Sequence, residues 1–228
     1  MQDRKLPMSE PRPSHSEEPP EFDTAFRRAL RDLMRWRRDV RHFRADPVDR
    51  GLVMACLEEA CKGPSVGNSQ PWRFVFVDTP EARAKVKANF ESANADALGS
   101  YYGEKAERYA RLKLSGLGVA PVQIAVFADL ESTEGAGLGA RTMPETKAYS
   151  VVAAIQCLWL LLRAEGLGLG WVSILEPDRL SSDLAAEPGW RFIGYLCIGW
   201  PTEAQERPEL EREGWQERLP LQKFIRSV

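Results

Sequence analysis

Apolar residues recur every three to four positions once the chain passes residue 23. Phe26, Leu30, Leu33 and Met34 fall on one face of a helix whose opposite face is filled with arginines. Asp23 gives that helix a start signal, and the spacing carries it to about residue 38. A second start is suggested at Asp46-Pro47, after which Leu52, Cys56 and Ala60 keep a period near four until Gly63-Pro64 stops it. The pattern then changes. Residues 72–78 (WRFVFVD) and 122–129 (VQIAVFAD) read as strands, the second too apolar to be exposed on either face. Between them, residues 80 to about 118 read as polar helix with Val86 and Phe90 turned inward and a break at residues 99–103. Tyr101, Tyr102, Tyr109 and Leu112 make residues 95–118 a candidate lid as well as a plain surface helical pair.

The most apolar helix runs from about residue 145 to 165. Val151, Ile155, Leu158 and Leu162 form one stripe, and Ala154 and Trp159 widen it, which predicts burial nearly all round. GLGLGWVSI then enters a short strand, Pro177 opens a helix, and RFIGYLCIGW gives a last apolar strand. The polar C-terminal end offers Trp215, Leu219, Leu221 and Phe224 for docking. Strands interleaved with helices predict an α+β or mixed α/β domain over residues 23–228, with the apolar helices packed on a central sheet. Residues 1–22 hold Pro7, Pro11, Pro13, Pro19 and Pro20 among charged and small polar residues, a composition that predicts disorder.

Composition narrows the chemistry. The 31 basic and 33 acidic side chains nearly cancel, so no overall field draws the chain to nucleic acid or an anionic membrane. Only His15 and His42 are available as imidazoles, which argues against multi-histidine metal sites and leaves any Ser-His-Asp arrangement resting on His42. Cys56, Cys61, Cys157 and Cys197 lack the C-x-x-C spacing of zinc or redox sites and read as small buried hydrophobes. The N-terminus has no apolar core for a secretory signal, and no later stretch gives eighteen uncharged apolar residues, so the expected location is the cytoplasm.

Three segments exceed what packing needs. Arg37-Arg38-Asp39-Val40-Arg41-His42-Phe43 is either a solvated basic helix end or, with Arg37 and Arg41 one helical turn apart, a phosphate clamp. Asp39 is there either as an ion-pair partner or as a carboxylate set beside a polar ligand. In GPSVGNSQPW, an irregular loop before a strand, Ser65, Asn68 and Gln70 offer groups that can read the edge of a heterocycle. The glycines of GLGLGWVS follow a helix and precede a strand, the reverse of a dinucleotide fingerprint, but they allow a backbone to approach a flat ligand closely.

Taken together, R-R-x-V-R-x-F, P-S-x-x-N-x-Q-P-W-x-F and G-L-G-x-G-W after a long apolar helix resemble the FMN-dependent nitroreductase superfamily, from about residue 24 to the C-terminus. The resemblance implies an α+β fold with a central, mixed but mainly antiparallel sheet flanked by helices. It also implies an intertwined homodimer with two FMN sites at the subunit interface. Carried over residue by residue, it puts Arg37, Arg38 and Arg41 on the FMN phosphate and nearby flavin polar atoms. Asp39 and Val40 belong to the same contact, Ser65 and Gln70 lie around the flavin and ribityl chain, Leu169 and Gly170 lie against the ring, and Arg218 of G-W-Q-E-R-L-P-L joins the cofactor set. Ordinary members have Ser at the position of Asp39. R-R-D-V-R combined with G-W-V-S-I is similar instead to a branch of the superfamily that fragments reduced FMN with molecular oxygen, yielding a benzimidazole and a four-carbon sugar phosphate.

That likeness implies Asp39 and Ser173 as catalytic residues, no metal, and a separate flavin reductase as supplier. Asp39 would transfer protons or hydrogen-bond the flavin, kept ionised by its arginine neighbours, and Ser173 would position by hydrogen bonding. His42 is not marked by the family pattern and reads as structural or surface. Two alternatives stand beside this reading: an NAD(P)H-dependent nitroreductase with recoverable flavin, and a flavin-binding protein without turnover.

Overall fold

Asp23 caps the first helix, α1 (Thr24–Trp36), its carboxylate accepting from the Phe26 amide at 2.7 Å in the computed structural model, which describes residues 19–99, 102–104, 107 and 116–228. The second helix, α2 (Arg50–Ala60), starts later than Asp46-Pro47 suggests, because Asp49 takes the capping role and accepts from Gly51 N–H. Then follow β1 (Trp72–Phe76), α3 (Pro80–Gly99), α4 (Gly116–Val119), β2 (Val122–Asp129), α5 (Thr146–Ala164), β3 (Gly168–Val172), α6 (Pro177–Asp183), β4 (Trp190–Gly199) and α7 (Glu209–Arg212). Half of the candidate lid falls outside the described residues, with Tyr101, Tyr109 and Leu112 among that half, as does nearly all of the proline-rich N-terminal segment.

The strands form one sheet in the order β1-β2-β4-β3, each neighbour antiparallel. Among the described residues, the parallel part of the expected mixed sheet is a single bridge between Asp39 and Leu169. Central β2 is buried at every position but Asp129, which explains why it reads as a continuous apolar run rather than an alternating one. Val151, Ile155, Leu158 and Leu162 of α5 are completely buried in a cluster with Ile124, Val126, Leu196 and Ile198 of the sheet. Each such side chain contributes about 1.5–3 kcal/mol through burial. By length and composition α5 is long and apolar enough to cross a membrane, but this stripe packs against the sheet as a core helix does.

Two expectations about helix burial are corrected. α5 is not covered all round, since Tyr149 and Val152 stay exposed on the side away from the sheet. α1 buries no residue at all, and Phe26, Leu30 and Met34 lie open, as do Leu221, Phe224 and Ile225 near the C-terminus. One sheet face accommodates α5 and α2, and among the described residues no further surface covers these apolar groups. Of the cysteines, Cys56 and Cys197 are buried as expected, whereas Cys61 and Cys157 are only half-buried.

Asn89 of α3 is fully buried and holds the loop after β3. Its Nδ2 donates to Glu176 O at 3.1 Å and its Oδ1 accepts from Glu176 N–H at 2.8 Å. Asn89→Ala strands both main-chain groups and is expected to cost about 2–4 kcal/mol, read as a lower urea midpoint at unchanged slope. A loss below about 0.5 kcal/mol contradicts that assignment.

Candidate active site

α1 stops at Trp36 because Arg37 turns to extended backbone (φ −71°, ψ 122°), after which the chain runs beside β3. Val40 N–H donates to Leu169 O at 3.0 Å, giving the otherwise open edge of β3 a partner. Glycines make this approach possible. A Cβ at Gly170 would sit 2.1 Å from the Val40 carbonyl oxygen, and one at Gly168 would sit 2.7 Å from Val40 Cγ2. The expected helical stacking of Arg37 on Arg41 is therefore lost, because Arg37 leaves the helix in extended backbone and Asp39 bridges to Leu169.

Asp39 stands at the centre of this arrangement. Its Oδ1 accepts from Trp171 N–H at 2.9 Å, and its Oδ2 lies 3.4 Å from Arg41 Nε. Burial raises the carboxyl pKa above the ordinary carboxylate value, and the Trp171 N–H, Arg41 and Arg37 oppose that rise without reversing it. The arginines pull the carboxyl pKa down as expected, but burial outweighs them and the net shift is upward. Arg41 is largely buried and also faces Glu209 of α7, 3.7 Å away. His42, half exposed, lies with Nε2 at 4.0 Å from the same carboxylate and keeps to the surface, as read from sequence.

Beside this segment opens a groove of about 600 Å³ lined by Arg35, Arg37, Arg38, Arg207 and Arg218, with Glu206 and Glu211 as its acids. Arg38 donates through its guanidinium to Glu206 O and Arg37 O. Arg37 lies over the Trp159 ring, 4.7 Å from its centroid. The pKa of Arg37 is lowered by burial first, with Asp39 opposing and Arg218 adding to the fall; that of Arg38 is lowered by burial, Arg218 and Arg37. With five arginines against two glutamates, Arg35 pairing with Glu206 at 3.4 Å and Arg207 with Glu211 at 3.9 Å, the groove keeps a net positive charge, which is what an anion site requires. A cavity of only about 10 Å³ reaches Asp39, Arg41, Gly116, Gly170, Val172 and Cys197. Burial, helped by the charge of Asp39, pushes the Cys197 thiol up to about 12, so it is inert there.

The structure unites Arg37, Arg38, Asp39, Val40, Arg41, Gly170 and Arg218. Leu169 is completely buried, main chain included, with its carbonyl taken by Val40 N–H, so the expectation that it lies against the ring is corrected; Ser173 lies exposed just past β3. The Ser65 and Gln70 loop is elsewhere. Ser65 Oγ accepts from Gln70 N–H at 3.1 Å, and Val66 N–H donates to Ser150 Oγ near the start of α5. Arg37 packs near the other end of that helix, on Trp159, roughly 14 Å of helical rise away. Within one chain the loop does not meet the arginines. Trp159, Arg35, Arg207 and Glu209 are not evident as site residues from sequence: Trp159 reads as part of a core stripe, Arg35 as one more arginine of the first helix, and Arg207 and Glu209 are lost in the alternating charges of E-R-P-E-L-E-R. Among the described residues no group of three or more His, Cys, Asp or Glu is placed to hold a metal ion.

With its single sheet, its α5 core and a cationic groove beside the β3 edge, the chain belongs to the nitroreductase family, whose pattern matches residues 34–200. Its relatives include the 5,6-dimethylbenzimidazole synthase of Rhodospirillum rubrum, 53% identical over 201 residues that cover 88% of this chain and 95% of that protein. The 5,6-dimethylbenzimidazole synthase of Rhodobacter capsulatus is 48% identical over 201 residues, 88% of this chain and 97% of that one. Among solved structures, iodotyrosine deiodinase bound to FMN and 3-iodo-L-tyrosine superposes with a TM-score of 0.66 at 22% identity, covering 77% of this chain and 91% of its own. A nitroreductase family protein from Streptococcus pneumoniae gives 0.60 at 22% identity, covering 87% of this chain and all of that one.

Proposed function

We propose that this chain is a 5,6-dimethylbenzimidazole synthase that consumes reduced FMN with molecular oxygen, forming 5,6-dimethylbenzimidazole and erythrose 4-phosphate. The observation that carries the reading is Asp39, a carboxylate of raised pKa clasped to the β3 main chain beside an arginine-rich groove. High identity to the two synthases supports it along nearly the whole chain. The groove fits the phosphate of the flavin nucleotide on its own chemistry, since Arg37, Arg38 and Arg218 line it together and stand close enough to repel one another.

Reduced FMN, when bound, supplies the electrons for oxygen and the carbon skeleton from which the benzimidazole is cut. The chain's residues hold and protonate. Arg37, Arg38 and Arg218 bind the phosphate by charge-assisted hydrogen bonds. Arg41, set between Asp39 and Glu209, fixes the carboxylate's direction. Asp39 accepts and returns a proton through Oδ2, with Oδ1 anchored on Trp171 N–H. Ser173 orients the substrate by its hydroxyl.

The active form in this reading is a homodimer in the cytoplasm, fed with reduced FMN by a separate reductase. A second copy gives a place to the exposed apolar groups of α1, the C-terminal end and α5, and it brings a Ser65 and Gln70 loop to the groove that the same chain leaves incomplete. To test the class of reaction, the protein is mixed with chemically reduced FMN, exposed to air and fully reoxidised. Loss of flavin absorbance in proportion to enzyme supports the proposal. Full recovery of the flavin, with rapid NAD(P)H oxidation when that donor is supplied, identifies an ordinary nitroreductase instead.

A further inference from the structure

We propose that Trp159 is a positioning residue for the cationic groove, holding Arg37 and the main chain of Arg38 where they receive the phosphate of FMN. The proposal rests on the FMN reading above. Trp159 lies on α5, a helix that otherwise supplies core, and its indole makes three contacts around the site. The Arg37 guanidinium carbon stands over the ring at 4.7 Å from the centroid, within the range of a cation–π contact. Its Nε1–H donates to Arg38 O at 3.2 Å. Its ring also lies 6.4 Å from that of Trp171, centroid to centroid, and Trp171 N–H is the group that holds Asp39. One side chain thus braces a cation, the backbone that follows it, and the residue that orients the carboxylate.

An aromatic ring suits this position better than an acid. A carboxylate beside Arg37 would occupy its N–H donors and neutralise the charge that a phosphate requires. The indole face attracts the guanidinium while leaving those donors available. It also counters the repulsion of Arg38 and Arg218, which favours swinging Arg37 out into water.

The test compares dissociation constants of FMN and riboflavin, which differ only in the phosphate, for the full chain and its variants by flavin fluorescence. Trp159→Leu removes both ring face and donor, and it is expected to weaken FMN about tenfold while changing riboflavin by less than about twofold. Trp159→Phe keeps a ring face without the N–H and is expected to show a smaller loss in the same selective direction. Equal weakening of both flavins by Trp159→Leu, or of neither, overturns the proposal. If the leucine variant does not fold, Trp159→Phe decides by the same selectivity. Arg37→Ala separates the two levels of the argument. Should Arg37→Ala keep the full preference for FMN over riboflavin, the phosphate reading fails and the Trp159 role with it. Should it lose that preference while Trp159→Leu retains it, only the Trp159 role fails.

Discussion

Asp39→Asn is expected to bind FMN nearly as the native protein does and to cut dimethylbenzimidazole formation by at least about a hundredfold. The amide oxygen can still accept from Trp171 N–H, so the segment of residues 37–43 keeps its place along β3. What disappears is a group able to gain and lose a proton. The pH dependence carries a sign that follows from burial. Because the pKa of Asp39 is raised, the folded chain takes up its proton at a higher pH than the unfolded chain. The stability contributed by Asp39 therefore falls as pH rises from the ordinary carboxylate value through the raised one, and Asp39→Asn removes that dependence. Activity runs the other way. Proton acceptance needs the ionised form, so the acid limb of kcat/KM should lie above the ordinary carboxylate range and be absent from any residual activity of the variant. Native activity in Asp39→Asn, or an acid limb that survives the substitution, contradicts the proton-transfer role.

The second large effect is expected at Gly170. A methyl group there meets the Val40 carbonyl oxygen at 2.1 Å, a main-chain atom that cannot swing aside as a side chain would. Gly170→Ala should push residues 37–43 off β3, cost about 1–3 kcal/mol or more in stability, and weaken FMN by about a hundredfold as Arg37, Asp39 and Arg41 lose their common frame. Gly118→Ala is the control, since a Cβ there meets nothing within 4 Å. Titration of the two variants with FMN checks the claim. Equal affinities would mean that the docked segment is not what the flavin requires.

Local signals in the chain were dependable. The Asp23 cap, the largely apolar run of β2 and the α5 stripe are each written in a few adjacent residues, and each is present in the fold. The site was legible only as a set of residue types. Residues 37–41 read as a helix end because cations there suit the helix dipole; their extended path is dictated by the edge of β3, which lies far along the chain. The raised pKa of Asp39 has the same origin, as its burial is created by that docking and by the packing of Trp171 and Arg41. The role of Trp159 was hidden for a related reason: on a helix wheel it is one more apolar position, and only the fold brings Arg37 over its ring. Nor does hydrophobicity reveal what covers a face. Phe26, Leu30 and Tyr149 are apolar or aromatic enough for a core, and in the single chain they stand in solvent.

The most direct measurement is product identification. The purified protein is supplied with reduced FMN from a flavin reductase, in air and in parallel under anaerobic conditions, and the mixtures are resolved by chromatography and mass spectrometry. Formation of 5,6-dimethylbenzimidazole in air alone, matched by FMN consumed, is the result expected here. Intact FMN and no 5,6-dimethylbenzimidazole in air, with the reductase shown to be active, would contradict it.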